Sequence, residues 1–354
     1  MLPQTRTAQF ALVAGFLVLA LLPLVLPPFY LMLGSTAFVA AIFALSLQLL
    51  VGGTGLVSLG HAAFFGIAAY SVYLISPADT PLSVFVTLPV AMVAAGLAAL
   101  VIGAFALRTR TFFFLMVTLA FGQMVYFVFH DTGLGGGADG VFAPRPILGV
   151  EGFSLPMGRR ERGLTLYYVN LAMMTATFLV LAGVLASLFG RVLVGIRVNE
   201  HRMRMLGYDV YAYKLAAFTL AGALAGLAGH MFVVQEGFVN PELVGWHRSA
   251  EALLIVILGG LGTLVGPILG AIALTALGEA SQQLTERQLL VEGLVVLAVV
   301  LVLPRGLAGL FTRRARRPEA ADVAAAPDPA ADAASGTPSA GANAGRVAQT
   351  EASP

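Results

Sequence analysis

The sequence contains no cysteine, one lysine (Lys214) and few charges: 11% of its 354 residues are Asp, Glu, Lys or Arg. Without cysteine there can be no disulfide, no thiolate metal site and no cysteine nucleophile. A single lysine, preceded by Tyr213, excludes a phosphate-binding loop of the GxxxxGK[ST] form. HExxH, EF-hand and G-x-S-x-G patterns are also missing. A net charge of +2 gives no argument for nucleic acid. Between Thr7 and Leu107 the only charged side chain is Asp79, and no soluble domain could cover its surface that way.

What is present is apolar, at 58% of residues. The long runs do not alternate, so the reading is an all-α polytopic bundle in a lipid bilayer, where backbone polar groups are satisfied within helices. Ten spans are expected, roughly at 10–28, 32–51, 58–76, 82–106, 111–129, 164–189, 213–235, 248–258, 264–279 and 289–303. The run 248–258 is too short to cross alone. The first run resembles a signal peptide but ends in Pro27-Pro28 rather than a cleavage site, so it reads as a retained span. Residues 1–311 form one membrane domain. Residues 312–354, rich in Ala and Pro, lack the large apolar side chains needed to fold and read as a disordered tail.

Charge is concentrated between the sixth and seventh spans, in Gly190–Lys214 (GRVLVGIRVNEHRMRMLGYDVYAYK). The basic excess places this island, Arg108 with Arg110, and the Arg305–Arg317 cluster in the cytoplasm, with both termini. Asn199 is a candidate N-cap and Gly207 a candidate C′ residue for a short helix. Its expected faces are Arg197, Glu200 or His201, and Arg204 on one side, and Met203 with Leu206 on another, with Met205 beside them. So short a helix needs something to pack on. It is either a docking element for a partner or a solvated loop that sets topology.

Two GGxG stretches follow apolar runs: Gly52, Gly53 and Gly55, then Gly259, Gly260 and Gly262. Paired glycine interruptions in two halves of a membrane protein point to a transport path. Close helix crossings would use glycine equally well. His61 and His230 lie at membrane depth, and Glu251 and Glu292 within a turn of a span's polar end. No string of acids runs through the bundle, which argues against a proton-coupled secondary carrier. A Ser58–His230 hydrolase pair is conceivable only if the fold brings the two together.

Four stretches carry a resemblance: GGTGLVSLGHAAFFGIAAY (Gly52–Tyr70), TGLGGGADGVFAPRP (Thr132–Pro146), Gly190–Gly229, and ILGGLGTLVGPILGA (Ile257–Ala271). Together they resemble the LivM-type permeases of branched-chain amino-acid ABC importers, over most of residues 30–310. The resemblance implies a bacterial inner-membrane subunit that binds no cofactor. ATP would be used by two cytoplasmic ATPases, beside a LivH-like second permease and a periplasmic solute-binding protein. It implies that Asn199, Glu200, Met203, Arg204, Met205, Leu206 and Gly207 form the coupling helix to an ATPase. Gly52, Gly53, Gly55, His61, Gly259, Gly260 and Gly262 become candidates for the translocation path. Leucine, isoleucine and valine are the default substrates, with urea, short amides or another small carboxylate as alternatives. The long tail and the Arg-containing segment Val150–Gly163 depart from the family pattern.

Overall fold

The computed structural model describes residues 6–76, 82–109, 111–147, 149–150, 153–154, 161–284, 287–303 and 306–311. The tail expectation for 312–354, and the arginines at 110, 305 and 313–317, lie outside the described residues. Each of the ten apolar runs is a helix: α1 (Arg6–Leu21), α2 (Pro28–Gln48), α3 (His61–Ile75), α4 (Val84–Ala106), α5 (Thr111–Asp131), α6 (Arg162–Ala186), and, after the polar island, α9 (Val210–Glu236), α10 (Trp246–Gly259), α11 (Gly266–Leu284) and α12 (Gln288–Val302). The island itself holds α7 (Leu188–Val198) and α8 (Glu200–Met205), and α13 (Ala308–Phe311) follows the last run. Five described helical stretches are long and apolar enough to cross a membrane: Pro28–Thr54, Val84–Ala106, Phe112–Asp131, Arg162–Ala186 and Val210–Glu236. The protein is an all-α polytopic membrane protein. Among the described residues the few strands are two residues long, and β1 (Val141–Phe142) pairs with β2 (Phe238–Val239) to tie the loop after α5 to the lead into α10.

The centre of the bundle is α2. It is apolar on every side, and from Ala37 to Thr54 every residue is buried, as expected of a helix without a polar face. It packs on α6, α9, α10 and α11. Its last residues, Leu49–Thr54, open into a π-helical turn.

In a bilayer, helix association rests on close packing and interhelical hydrogen bonds, and both are visible. Gly222, Gly226 and Gly229 line one side of α9. A Cβ on Gly226 would lie 2.6 Å from the Ala95 methyl of α4, and one on Gly229 would lie 2.0 Å from the Phe65 carbonyl of α3. The second device is polar. Asn170 of α6 donates to Ser35 Oγ of α2 at 2.6 Å and to Gln235 Oε1 of α9 at 3.1 Å. Ser35 also donates to Gln235 Oε1 at 3.0 Å. All three residues are buried, so the network clamps three helices at one level.

Gly226→Val is expected to destabilise the bundle by about 1–3 kcal/mol, the usual cost of overpacking. Gly183→Ala, at a position with no atom within 4 Å of a new Cβ, serves as the control. Thermal unfolding in detergent should show a lowered midpoint for the first and none for the second. Equal midpoints would mean that α4 and α9 separate easily.

Candidate functional site

The polar island folds as two helices rather than one. Ser187 turns extended after α6, and its Oγ accepts from Gly190 N at 3.5 Å, so α7 starts afresh. One side of α7 is buried through Gly190, Val192, Leu193 and Ile196. Asn199 is extended (φ −157°, ψ 98°), and its Oδ1 accepts from Arg202 N at 2.9 Å, capping α8. Gly207 has φ +86°. The bonds Gly207 N–Arg204 O (2.9 Å) and Tyr208 N–Met203 O (3.2 Å) close the helix as a Schellman turn, which favours glycine at that position.

The break at Asn199 corrects two expectations. Arg197 belongs to α7 and does not share a face with Glu200 and Arg204. Met203 turns inward, against Val192, Ile196 and Val210, and its sulfur fills the space where Gly195 has no side chain. The outward apolar residues are therefore Met205 and Leu206, at 73% and 66% exposure, with Val198 nearby at 78%. Arg191, His201, Arg202 and Arg204 of the same island are exposed as well.

Glu200 anchors α8. It pairs with Arg204 at 2.5 Å and, across to α9, with Lys214 at 2.6 Å. Partial burial alone would raise its pKa. Lys214 and Arg204 outweigh that and hold the carboxyl below the ordinary glutamate range. A depressed folded-state pKa means that the tie contributes fully above the unfolded value and is lost as pH falls through the folded one.

The two glycine breaks meet, and they meet at Arg197. Arg197 Nη1 donates to Gly52 O at 2.7 Å, within the π-helical turn. A Cβ on Gly55 (φ +77°) would lie 3.3 Å from Arg197 Cγ, and one on Gly262 (φ +85°) 3.6 Å from Arg197 Nη1. Gln48 Nε2 donates across the gap to Thr263 O at 3.1 Å. Gly53 faces Leu193 of α7, Gly259 lies against the Gly266 backbone, and Gly260 (φ +116°) packs on Gly306. Both breaks thus lie where α7 packs. His61 is elsewhere: it begins α3, accepts from or donates to Ser46 Oγ through Nε2 at 2.8 Å, and stacks on Phe43.

The remaining ionisable residues are also placed. His230 Nε2 bonds Thr87 Oγ1 at 2.8 Å, and Ser58 Oγ, though buried, has no hydrogen-bond partner among the described residues. A Ser58–His230 pair is therefore not formed. Glu251 pairs with Arg248, and the side chain of Glu292 lies outside the described residues.

Arg197→Ala leaves the Gly52 carbonyl without its cation. Amide exchange at Gly52–Leu56 is expected to quicken severalfold while α4 stays protected, because only the break loses a bond. Unchanged exchange would show that the break is held by backbone packing alone. Glu200→Gln, in turn, should remove the pH dependence of α8 protection below about pH 5, the region where carboxylates protonate. If the wild-type α8 shows no acid-dependent loss to begin with, the Glu200 tie carries no weight.

A family model described as "Branched-chain amino acid transport system / permease component" matches residues 29–303. The high-affinity branched-chain amino acid transport system permease protein LivM of Escherichia coli K12 is 32% identical over 284 residues, covering 75% of this chain and 67% of that protein. LivM of Salmonella typhimurium LT2 matches to the same extent. The autoinducer 2 import system permease protein LsrC of Klebsiella pneumoniae is 40% identical over 93 residues, 25% of this chain and 27% of that protein. No solved structure matches the chain.

Proposed function

The chain belongs to the family of branched-chain amino acid transport system permease components, and from that premise we propose that it is the LivM-like half of an ABC importer's membrane channel. In this reading the subunit lies in a bacterial inner membrane with both termini in the cytoplasm. It pairs with a LivH-like permease, receives leucine, isoleucine or valine from a periplasmic binding protein, and is driven by two cytoplasmic ATPases that use ATP. The chain supplies no nucleotide site of its own. Two LivM relatives covering three-quarters of the chain favour branched-chain amino acids, since the LsrC likenesses span less than half of it.

The observation that carries the coupling role is the state of α8. It is capped at both ends and tied to α9 through Glu200–Lys214, yet it exposes Met205 and Leu206 within a basic rim. Exposed apolar side chains on a rigid projection suit an apolar groove with an acidic edge on an ATPase, and Met adapts to such grooves. Motion imposed on α8 reaches α7 through Met203, and from α7 it reaches both glycine breaks through Arg197. In this way hydrolysis outside the membrane would act on the helix ends that flank the path.

Two variants test the docking. Met205→Asp with Leu206→Asp should leave the chain folded but abolish co-purification of the ATPases, because two carboxylates would lose their water in an apolar groove. Gly207→Val should retain the ATPases and lose ATP-driven leucine uptake in proteoliposomes, since a β-branched residue resists positive φ. Normal uptake by the double Asp variant would reduce the island to a loop that sets topology. Leucine accumulation by the chain alone, driven by a proton gradient, would make it a carrier.

A further inference from the structure

Arg248 and Glu251 lie in the first two turns of α10, yet short of the end of the neighbouring α9. α10 has 14 residues, about 21 Å, and starts inside the bundle. Ser249 Oγ accepts from Ala62 N at 2.8 Å, next to His61, which bonds Ser46. Ser46 lies eight residues, about 12 Å, before the end of the stretch at Thr54. At the other end, the Arg248 guanidinium lies over the Phe65 ring at 5.3 Å and the Phe232 ring at 5.8 Å. Phe232 is one turn, about 6 Å, inside the Glu236 end of α9, and Phe65 packs its backbone against Gly229, about 10 Å inside. The pair thus lies about 6–10 Å inside the Glu236 end of α9.

Its surroundings are unusual for a structural ion pair. Arg248 Nη1 donates to Glu251 Oε2 at 2.8 Å, while the buried Arg248 Nε has no hydrogen-bond partner among the described residues. The Glu251 side chain is 41% exposed, and Leu254, one turn on, is exposed to the same degree. His247, Glu251 and Leu254 share a face at i, i+4, i+7 that the rest of the chain leaves open. Lipid does not tolerate such a face, so it borders water or another protein.

We propose that the Arg248–Glu251 pair is the point inside the membrane at which the permease recognises a zwitterionic amino acid. This rests on the permease reading above. The substrate carboxylate exchanges for Glu251 on the Arg248 guanidinium, whose free Nε–H supplies a further donor. The substrate ammonium takes the Glu251 carboxylate, and the aliphatic side chain lies along Leu254. Charge balances at every stage. Opening an ion pair in a low-dielectric setting is costly unless each ion gains a new partner at once. A zwitterion supplies both partners. A neutral solute supplies neither, and a simple cation or anion leaves one charge uncompensated. The site therefore selects by charge pattern.

The test uses the assembled importer in proteoliposomes, with ATP inside and radiolabelled leucine on its binding protein. The decisive variant is Arg248→Gln with Glu251→Gln, which keeps shape and hydrogen bonding and buries no lone charge. It should assemble, keep the wild-type KM for loaded binding protein, and lose at least tenfold in kcat for uptake. Glu251→Asp should recover part of that loss. Wild-type uptake by the double Gln variant would overturn the proposal, and so would its failure to assemble, which would make the pair a helix clamp. Failure of the unmodified importer to take up leucine would instead strike the permease reading itself.

Discussion

A helix that stops inside a bilayer leaves backbone groups without partners, and water is not available to supply them. This protein stops several helices against their neighbours in the bundle, and side chains from those neighbours make up the shortfall. Arg197 reaches from α7 to the Gly52 carbonyl, Gln48 reaches from α2 to the Thr263 carbonyl, and Ser249 takes the Ala62 amide at the start of α3. Each is a contact between elements far apart in sequence. The interruptions are thus stable only while the surrounding helices hold their places, and moving those helices would disturb all the interruptions together. Breaks of this kind can be rigid in one arrangement and open in another.

The same logic explains what was legible in the sequence. The ten apolar runs declared themselves by composition, and each is a helix. The cap at Asn199 and the positive φ at Gly207 were readable because both follow from local chemistry, a side-chain oxygen and a missing Cβ. Ser187 was a weaker local signal: it is one serine in an apolar stretch, and it splits α7 from α6. The inward turn of Met203 was not legible, because it depends on Gly195 and Val210 coming to the same place. The depth of Glu251 was only partly legible for a similar reason. Counting along the chain puts it within a turn of a polar end, and it stands in the second turn of α10, but Arg248 beside it meets Phe232 short of the end of α9, which only the packing shows.

The glycine motifs show both sides of this. Their spacing marked them as paired, and the structure brings them together. The residue that joins them, Arg197, carries no mark in the sequence beyond being one of several arginines in a basic loop. Nothing local distinguishes it from Arg202, which is exposed, or Arg204, which pairs with Glu200. Only the packing of α7 against the π-helical turn selects it.

Lys214 is the only lysine in the chain, and its ammonium is engaged by Glu200 at 14% exposure. The protein therefore has a single internal amine for acylating reagents, placed at the joint between α8 and α9. While the joint is closed that amine is shielded by its contact with Glu200. Should α8 swing away, it becomes a nucleophile open to solvent. With no cysteine to compete for electrophiles, the rate of modification at this one atom reports the position of α8 in an otherwise unlabelled protein.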